Sequence, residues 1–198
     1  MVYNPKIHHR RSIRLKGYDY SQVGAYFITI CTHNRECVFG EVVEGEMRLN
    51  EIGIIVQEEW LNTPTIRSSV ELDVFVVMPN HFHGIIKLND DDGGASQRTN
   101  IGGGESQSEN PRKGELQFAP TGFSSPSRTV GAIVRGFKSA STKRINALRR
   151  TPGVLVWQRN YYDRTVRNQK EMNRIQEYIV NNPLQWFYDE ENPESVSG

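Results

Sequence analysis

His81 and His83 stand one residue apart in the run Val74-Phe75-Val76-Val77-Met78-Pro79-Asn80-His81-Phe82-His83-Gly84-Ile85-Ile86. Alternate residues of a β-strand point to one face, so the two imidazoles face together and Phe82 faces a core. Two neutral imidazoles side by side are a ready pair of metal ligands. Far along the chain, Tyr178 and Asn182 are four residues apart, and on a helix they share a flank. One amide oxygen added to two imidazoles makes a three-ligand site with open positions. Its mixed nitrogen and oxygen donors suit Mg²⁺, Mn²⁺ or a similar ion, and the lack of a thiolate speaks against structural zinc. An ion so held polarises a phosphoryl oxygen and orients the phosphorus for in-line attack. A phenol with a pKa of about 10 is a poor nucleophile unaided. Against an activated phosphodiester it can form a covalent phosphotyrosine, and reverse attack by a DNA hydroxyl rejoins the strand. Each residue also has a plain structural reading. Histidines spaced this way occur as surface pairs, a tyrosine on a helix flank is core or surface, and Asn182 before Pro183 is a helix end. Spacing alone does not bring the helix to the strand.

The elements that must position these residues follow from pattern. Ala25 to Thr32 is rich in β-formers, with Phe27, Thr29 and Cys31 on one face and Tyr26, Ile28 and Ile30 on the other. Phe39 to Leu49 reads as a hairpin turning at Glu44-Gly45-Glu46. Asn50 caps a helix from about Glu51 to Asn62, which Pro64 stops. Val70 to Val77 and His81 to Leu88 are strands joined by an irregular Met78-Pro79-Asn80 link, and are expected to be antiparallel neighbours. Residues 89 to about 127 are dominated by Gly, Ser, Asn, Gln and Asp and read as a mobile insertion in a single domain. Gly102-Gly103-Gly104 lacks the Lys-Ser/Thr and following helix of a phosphate loop. Ser127 to Arg150 has helical spacing, with Val130, Ile133, Val134, Phe137, Ile145 and Leu148 as its apolar stripe. Val154 to Gln158 and Tyr161 to Arg164 are short extended elements. Asn168, with Glu171 three residues on, caps a final helix to about Asn181, whose apolar face is Met172, Ile175 and Ile179. The basic arm of residues 1 to 24 and the acidic tail of residues 187 to 198 read as loosely structured ends.

Charge is segregated although it nearly cancels, at +1 over 198 residues. Arg10, Arg11, Arg14 and neighbouring lysines cluster at the start. Arg135, Lys138, Lys143, Arg144, Arg149, Arg150 and the basic residues up to Lys170 follow with Asp163 alone among them. Acids gather in the hairpin, at Asp90 to Asp92 and in the tail. A polyanion suits such a surface, and so does plain solvation of a helix. Arg10, Arg11, Arg135, Lys138 and Arg144 are the expected phosphate contacts, supplying salt-sensitive affinity rather than sequence choice. Tyr161, Tyr162 and Trp157 are stacking candidates for extruded bases, with a core role favoured for Trp157. No run approaches the roughly 20 apolar residues that span a bilayer. Two cysteines without a Cys-x-x-Cys pattern and no apolar leader point to a reduced, cytoplasmic protein.

Taken together, these stretches resemble a known family. Tyr26-Phe27-Ile28-Thr29-Ile30-Cys31-Thr32, Met78-Pro79-Asn80-His81-Phe82-His83-Gly84-Ile85-Ile86 and Tyr178-Ile179-Val180-Asn181-Asn182-Pro183 are similar to the HUH-class single-tyrosine transposases, in the branch of REP-associated tyrosine transposases. The likeness covers roughly residues 24–88 and 130–186. It implies an α+β fold, an antiparallel sheet with helices packed on one face, as in ferredoxin-like and RNA-recognition folds. It implies that His81, His83 and Asn182 bind a divalent ion, Mg²⁺ or Mn²⁺. Tyr178 would be the nucleophile, making a 5′-phosphotyrosine and freeing a 3′-hydroxyl. The implied substrate is single-stranded hairpin DNA, read partly by pairing to a guide tetranucleotide, and the implied state is a monomer, although dimers occur in the wider family. The insertion departs from the family's pattern. The alternative is a non-cleaving regulator that holds hairpin DNA or RNA.

Overall fold

A computed structural model describes residues 21–90 and 129–195. Most of the basic arm, including Arg10 and Arg11, and nearly all of the insertion lie outside the described residues. Strand β1 is Gly24–Cys31. A hairpin follows, β2 Gly40–Val43 and β3 Glu46–Leu49, whose turn residues Glu44 and Gly45 both have positive φ. That is the backbone twist a two-residue turn needs to match its strands. Helix α1 is Glu51–Leu61, and the Asn50 side chain accepts from the Ile52 and Gly53 amides, as its sequence position predicts. Pro64 does not simply end the chain's helical path. It sits in the first turn of a short second helix, α2 Thr63–Ile66, where its missing N–H costs nothing.

Strands β4 Val70–Val77 and β5 His81–Leu88 pair antiparallel, with a register shift between Leu72 and Phe75. Helix α3 is Val130–Arg149, strand β6 is Tyr162–Val166, and helix α4 is Gln169–Asn181. The expected short strand at Val154 to Gln158 is reduced to one bridge, Thr32 to Trp157. Asn168 caps α4 by accepting from the Glu171 amide, and Glu171 reaches back to the Arg167 amide one residue before the cap.

The main sheet has the order β4-β5-β1-β6, all antiparallel. Leaving the small hairpin aside, the path is β-α-β-β-α-β, the ferredoxin-like arrangement. The α+β expectation is met, but helices pack on both faces rather than on one: α1 and α3 cover the first, over a core of Tyr26, Ile28, Ile30, Trp60, Phe82 and Phe137. The added helix α4 covers the other face, where Ile175 and Ile179 meet Phe27 and Ile85. The period of two along β5 decides this division. Phe82 points into the larger core, and His81, His83 and Ile85 point toward α4.

Gly84 lets the Trp60 indole lie on the sheet. A Cβ there would stand 2.9 Å from the rings of both Phe82 and Trp60, which are buried and cannot swing away. Gly84→Ala is therefore expected to destabilise the fold by about 1–3 kcal/mol, read as a lower urea midpoint. An unchanged midpoint would show that this packing is looser than described.

Candidate active site

Sheet register places the first half of the site. Cys31 lies opposite His81 and Thr29 opposite His83. His81 is fully buried and His83 nearly so. Their rings lie 4.5 Å apart, centre to centre.

The tautomers follow from the hydrogen bonds. The Asn80 amide nitrogen donates to two carbonyls, Arg35 at 3.1 Å and Glu191 at 2.6 Å. Its oxygen is thus the atom facing His81 Nδ1, at 2.9 Å, so that nitrogen carries the proton. In a neutral imidazole the lone pair then sits on Nε2. This Nε2 is buried and meets no partner at hydrogen-bond geometry among the described residues, although the Asn182 amide lies near enough to pull the His81 pKa upward. At His83, Nδ1 bonds Thr29 Oγ1 at 2.8 Å and Nε2 bonds the Tyr178 hydroxyl at 3.2 Å. With the phenol donating, His83 also presents its Nε2 lone pair to this space. Partners on the far nitrogens are what hold metal-binding histidines in the needed tautomer. Burial lowers the His81 pKa against the pull of Asp189, Glu191 and the Asn182 amide. His83 falls well below the usual value, by burial and then by the His81 charge.

The second half arrives from α4 and the tail. Tyr178 leans against Phe27 and His83 of its own chain, with ring centres at 6.1 and 5.2 Å. Burial and then the charges of Asp189, Glu191 and Glu190 push its phenol up to about 12, while the Asn182 amide works the other way. Asn182 is buried; its Nδ2 donates to Asp189 Oδ2 at 3.0 Å, and its Oδ1 has no hydrogen-bond partner.

The described part of the acidic tail is not frayed, contrary to expectation. After α4 the chain forms a 3₁₀ segment, Pro183–Tyr188, with Trp186 set over His81 at 5.9 Å. Arg35 then clips the tail to the body, donating to the Glu190 carbonyl at 3.2 Å and pairing with the Glu191 carboxylate at 3.0 Å. A carboxylate is thereby delivered to the histidines. His81 Nε2 is 3.9 Å from Asp189 Oδ2, and ligand atoms of His81, His83 and Asp189 all lie within 4.8 Å of one another.

The structure thus brings together His81, His83, Tyr178 and Asn182, and adds Asp189, Asn80 and Thr29, which the sequence did not mark. Composition flagged Asp189 only as one tail acid among several. Asn80 and Thr29 lay inside the quoted motifs without a role. The donor set fits a divalent ion. Two aligned imidazole lone pairs, a carboxylate and an unpartnered buried amide oxygen suit Mn²⁺ or Mg²⁺ better than a structural zinc.

The expected phosphate contacts divide. Helix α3 lies across the sheet from the histidines. Arg144 is engaged by Glu59 at 2.9 Å and Glu58 at 2.5 Å. Lys138 is half-buried and donates to the carbonyls of Gln158 and Arg159, which ties the loop after Trp157 to α3. Burial lowers its pKa to about 8. Arg135 is exposed beside a cavity of about 510 Å³ that also holds Lys143, Trp157, Arg159 and Tyr161. Trp157 is buried and donates to Ser141 Oγ, the core role favoured for it. Among the described residues, no helix is long and apolar enough to cross a membrane.

Paired histidines stand on an inner strand, and the helix after the last strand brings a tyrosine to them; the ferredoxin-like fold that carries them occurs in a solved protein, a REP-associated tyrosine transposase with a REP hairpin bound. The TM-score is 0.51 at 17% identity, over 85% of this chain and 72% of that one. A putative transposase from Deinococcus radiodurans R1 gives a TM-score of 0.43 at 18% identity, over 83% of this chain and 93% of that one. In sequence, the chain belongs to one family with an uncharacterized protein of Haemophilus influenzae (strain ATCC 51907 / DSM 11121 / KW20 / Rd). The two are 42% identical over 189 residues, 95% of this chain and 96% of that protein. No protein-family model matches the chain.

Proposed function

We propose that this protein is a metal-dependent single-stranded DNA endonuclease and strand transferase that works through Tyr178. The observation that carries the reading is the Tyr178 hydroxyl 3.2 Å from His83 Nε2, beside a second imidazole whose lone pair meets no partner at hydrogen-bond geometry among the described residues. His81, His83 and Asp189 would hold the divalent ion, with the Asn182 oxygen as the ligand expected from sequence. Such an ion supplies positive charge that polarises a phosphoryl oxygen and eases formation of a phenolate.

The protein's own groups do the rest. His83 Nε2 has one lone pair, so when it serves as a ligand the Tyr178 hydroxyl is released toward substrate. Tyr178 Oη forms a bond to phosphorus as the bond from phosphorus to the 3′-oxygen breaks. The phenolic proton passes to solvent, and the departing oxygen takes one from water. The products are a 5′-phosphotyrosine and a free 3′-hydroxyl, and the reverse reaction joins strands. Asn80 and Thr29 fix the imidazole tautomers throughout. Trp186 and the sheet keep bulk water from His81. Arg10, Arg11 and Arg135 remain the phosphate contacts in this reading, while Lys138 and Arg144 act chiefly through the contacts that hold α3. The fold neighbour solved with a REP hairpin supports hairpin DNA as the substrate, and Tyr178 reaching the histidines of its own chain is consistent with a monomer.

The test is a denaturing gel of protein mixed with labelled single-stranded hairpin oligonucleotides, with and without Mn²⁺. A slower band that requires the ion is expected. Tight binding of a hairpin with no such band would favour a non-cleaving binding protein. A companion measurement addresses Asp189. Asp189→Asn is expected to weaken Mn²⁺ binding by about tenfold or more, by titration calorimetry. Equal affinity in both proteins would remove Asp189 from the ligand set.

A further inference from the structure

A second cavity opens on the same face of the sheet, on the other side of Tyr178. It holds about 260 Å³ and is lined by Phe27, Tyr162, Arg164, Arg174, Ile175 and Tyr178. Register explains its floor. Phe27 lies opposite Arg164 and Thr29 opposite Tyr162, so these side chains rise from neighbouring strands on the face toward α4. The helix docks toward β4, where Gln176 donates to Asp73 at 2.8 Å, and this leaves a space between α4 and β6.

The chemistry of this space differs from that of the site beside it. The imidazole cavity, about 490 Å³, is edged by Asp189, Glu190 and Glu191. The second cavity has no carboxylate in its lining and two guanidinium groups. Tyr162 and Tyr178 line both, so the two spaces meet at the phenol. The charge therefore changes sign across Tyr178. Tyr162 and Tyr178 stand at 68° and 84° to the Phe27 ring, with centres at 6.3 and 6.1 Å, making a three-sided aromatic box. Arg164 is tied to Glu171 by an ion pair. Arg174 is exposed, and its charge is felt by the Glu171 carboxylate that Arg164 holds.

We propose that this cavity is the subsite for the nucleotide next to the cleaved phosphate. Its base sits in the box of Phe27 and Tyr162, and its phosphodiester is held by Arg174. The inference rests on the reading under Proposed function and extends it to substrate choice. A base in this box is walled in by three rings and cannot keep a pairing partner. The subsite thus selects a single strand by shape and leaves base identity open, because every base has a face to stack. Arg174 fixes the backbone and adds salt-sensitive affinity.

The test uses the full-length protein without metal, so that no chemistry occurs, and follows fluorescence anisotropy of a labelled oligothymidine of about 20 nucleotides. Arg174→Ala is expected to weaken binding about fivefold and to reduce the slope of log affinity against log salt by about 1. Arg174→Lys should restore the slope. Tyr162→Leu keeps apolar bulk but loses the stacking face. It should weaken oligothymidine binding with the slope intact, and have no effect on an oligomer of abasic sugar-phosphates. Arg48→Ala, on the hairpin and outside the lining of this cavity, should match the wild type. Arg174→Ala and Tyr162→Leu proteins that bind with wild-type affinity and slope, and still form the covalent band, would overturn the subsite and leave the tyrosine chemistry standing. Absence of the band from the wild type with every hairpin would overturn that chemistry and this subsite together.

Discussion

Tyr178→Phe is expected to abolish covalent capture of DNA while leaving the fold and DNA binding in place. The substitution removes one oxygen. The ring keeps its contacts with Phe27 and His83, and the helix keeps Ile175 and Ile179 in the smaller core. The lost hydrogen bond, 3.2 Å long and on a residue 42% exposed, costs about 1 kcal/mol or less. The chemical loss is of another order. Removing the nucleophile takes away the bond-forming atom, so strand cleavage should fall by roughly a thousandfold or more. Single-turnover cleavage of a hairpin oligonucleotide, with circular dichroism as the check on folding, reads both effects. Cleavage at the wild-type rate by a folded Tyr178→Phe protein would move the chemistry elsewhere. Tyr162 would then be the residue to examine, since it lines the same cavity.

The largest stability effect is expected at Phe82, the residue between the two histidines. Its side chain is fully buried on the face away from the site. The ring packs at 4.5 Å from Trp60, 5.4 Å from Phe137 and 6.0 Å from Phe75, centre to centre. It therefore joins α1, α3 and β4 to the strand that carries the imidazoles. Phe82→Ala removes those contacts and leaves a cavity that surrounding rings fill only in part. The expected cost is about 3–5 kcal/mol, or a fall in melting temperature of roughly 10 °C for a chain of this size. Phe82→Leu, which keeps most of the volume, should lose much less. A Phe82→Ala protein with wild-type stability would mean that β5 is not anchored through this side chain, and the register that aligns the imidazoles would need another explanation.

Much of the fold was legible because periodicity is local. The alternation His81, Phe82, His83 placed the two imidazoles on one face and the phenyl ring on the other, and Asn50 and Asn168 marked helix starts by capping chemistry that needs only a few neighbouring residues. The meeting of Tyr178 with His83 was legible only as a resemblance, since helical spacing fixes which side chains share a flank and not what that flank meets. Three features were out of reach. The docking of the tail depends on Arg35 and Asn80, more than 100 residues earlier in the chain than Glu191, which they bind. Asp189 enters the site only through that docking. Lys138 and Arg144 carry the composition of phosphate contacts, but tertiary structure supplied them with carbonyls and carboxylates instead. Segregated charge along a sequence does not say which cations remain free.

The most direct test of the central claim is to map the covalent link. The protein, loaded with Mn²⁺, would be trapped with a hairpin oligonucleotide, digested, and the DNA-bearing peptide sequenced by mass spectrometry. The account predicts a single phosphotyrosine at Tyr178, attached to the 5′ end of the downstream fragment. Attachment at Tyr162 or Tyr188, or a 3′-phosphotyrosine at any position, would contradict it.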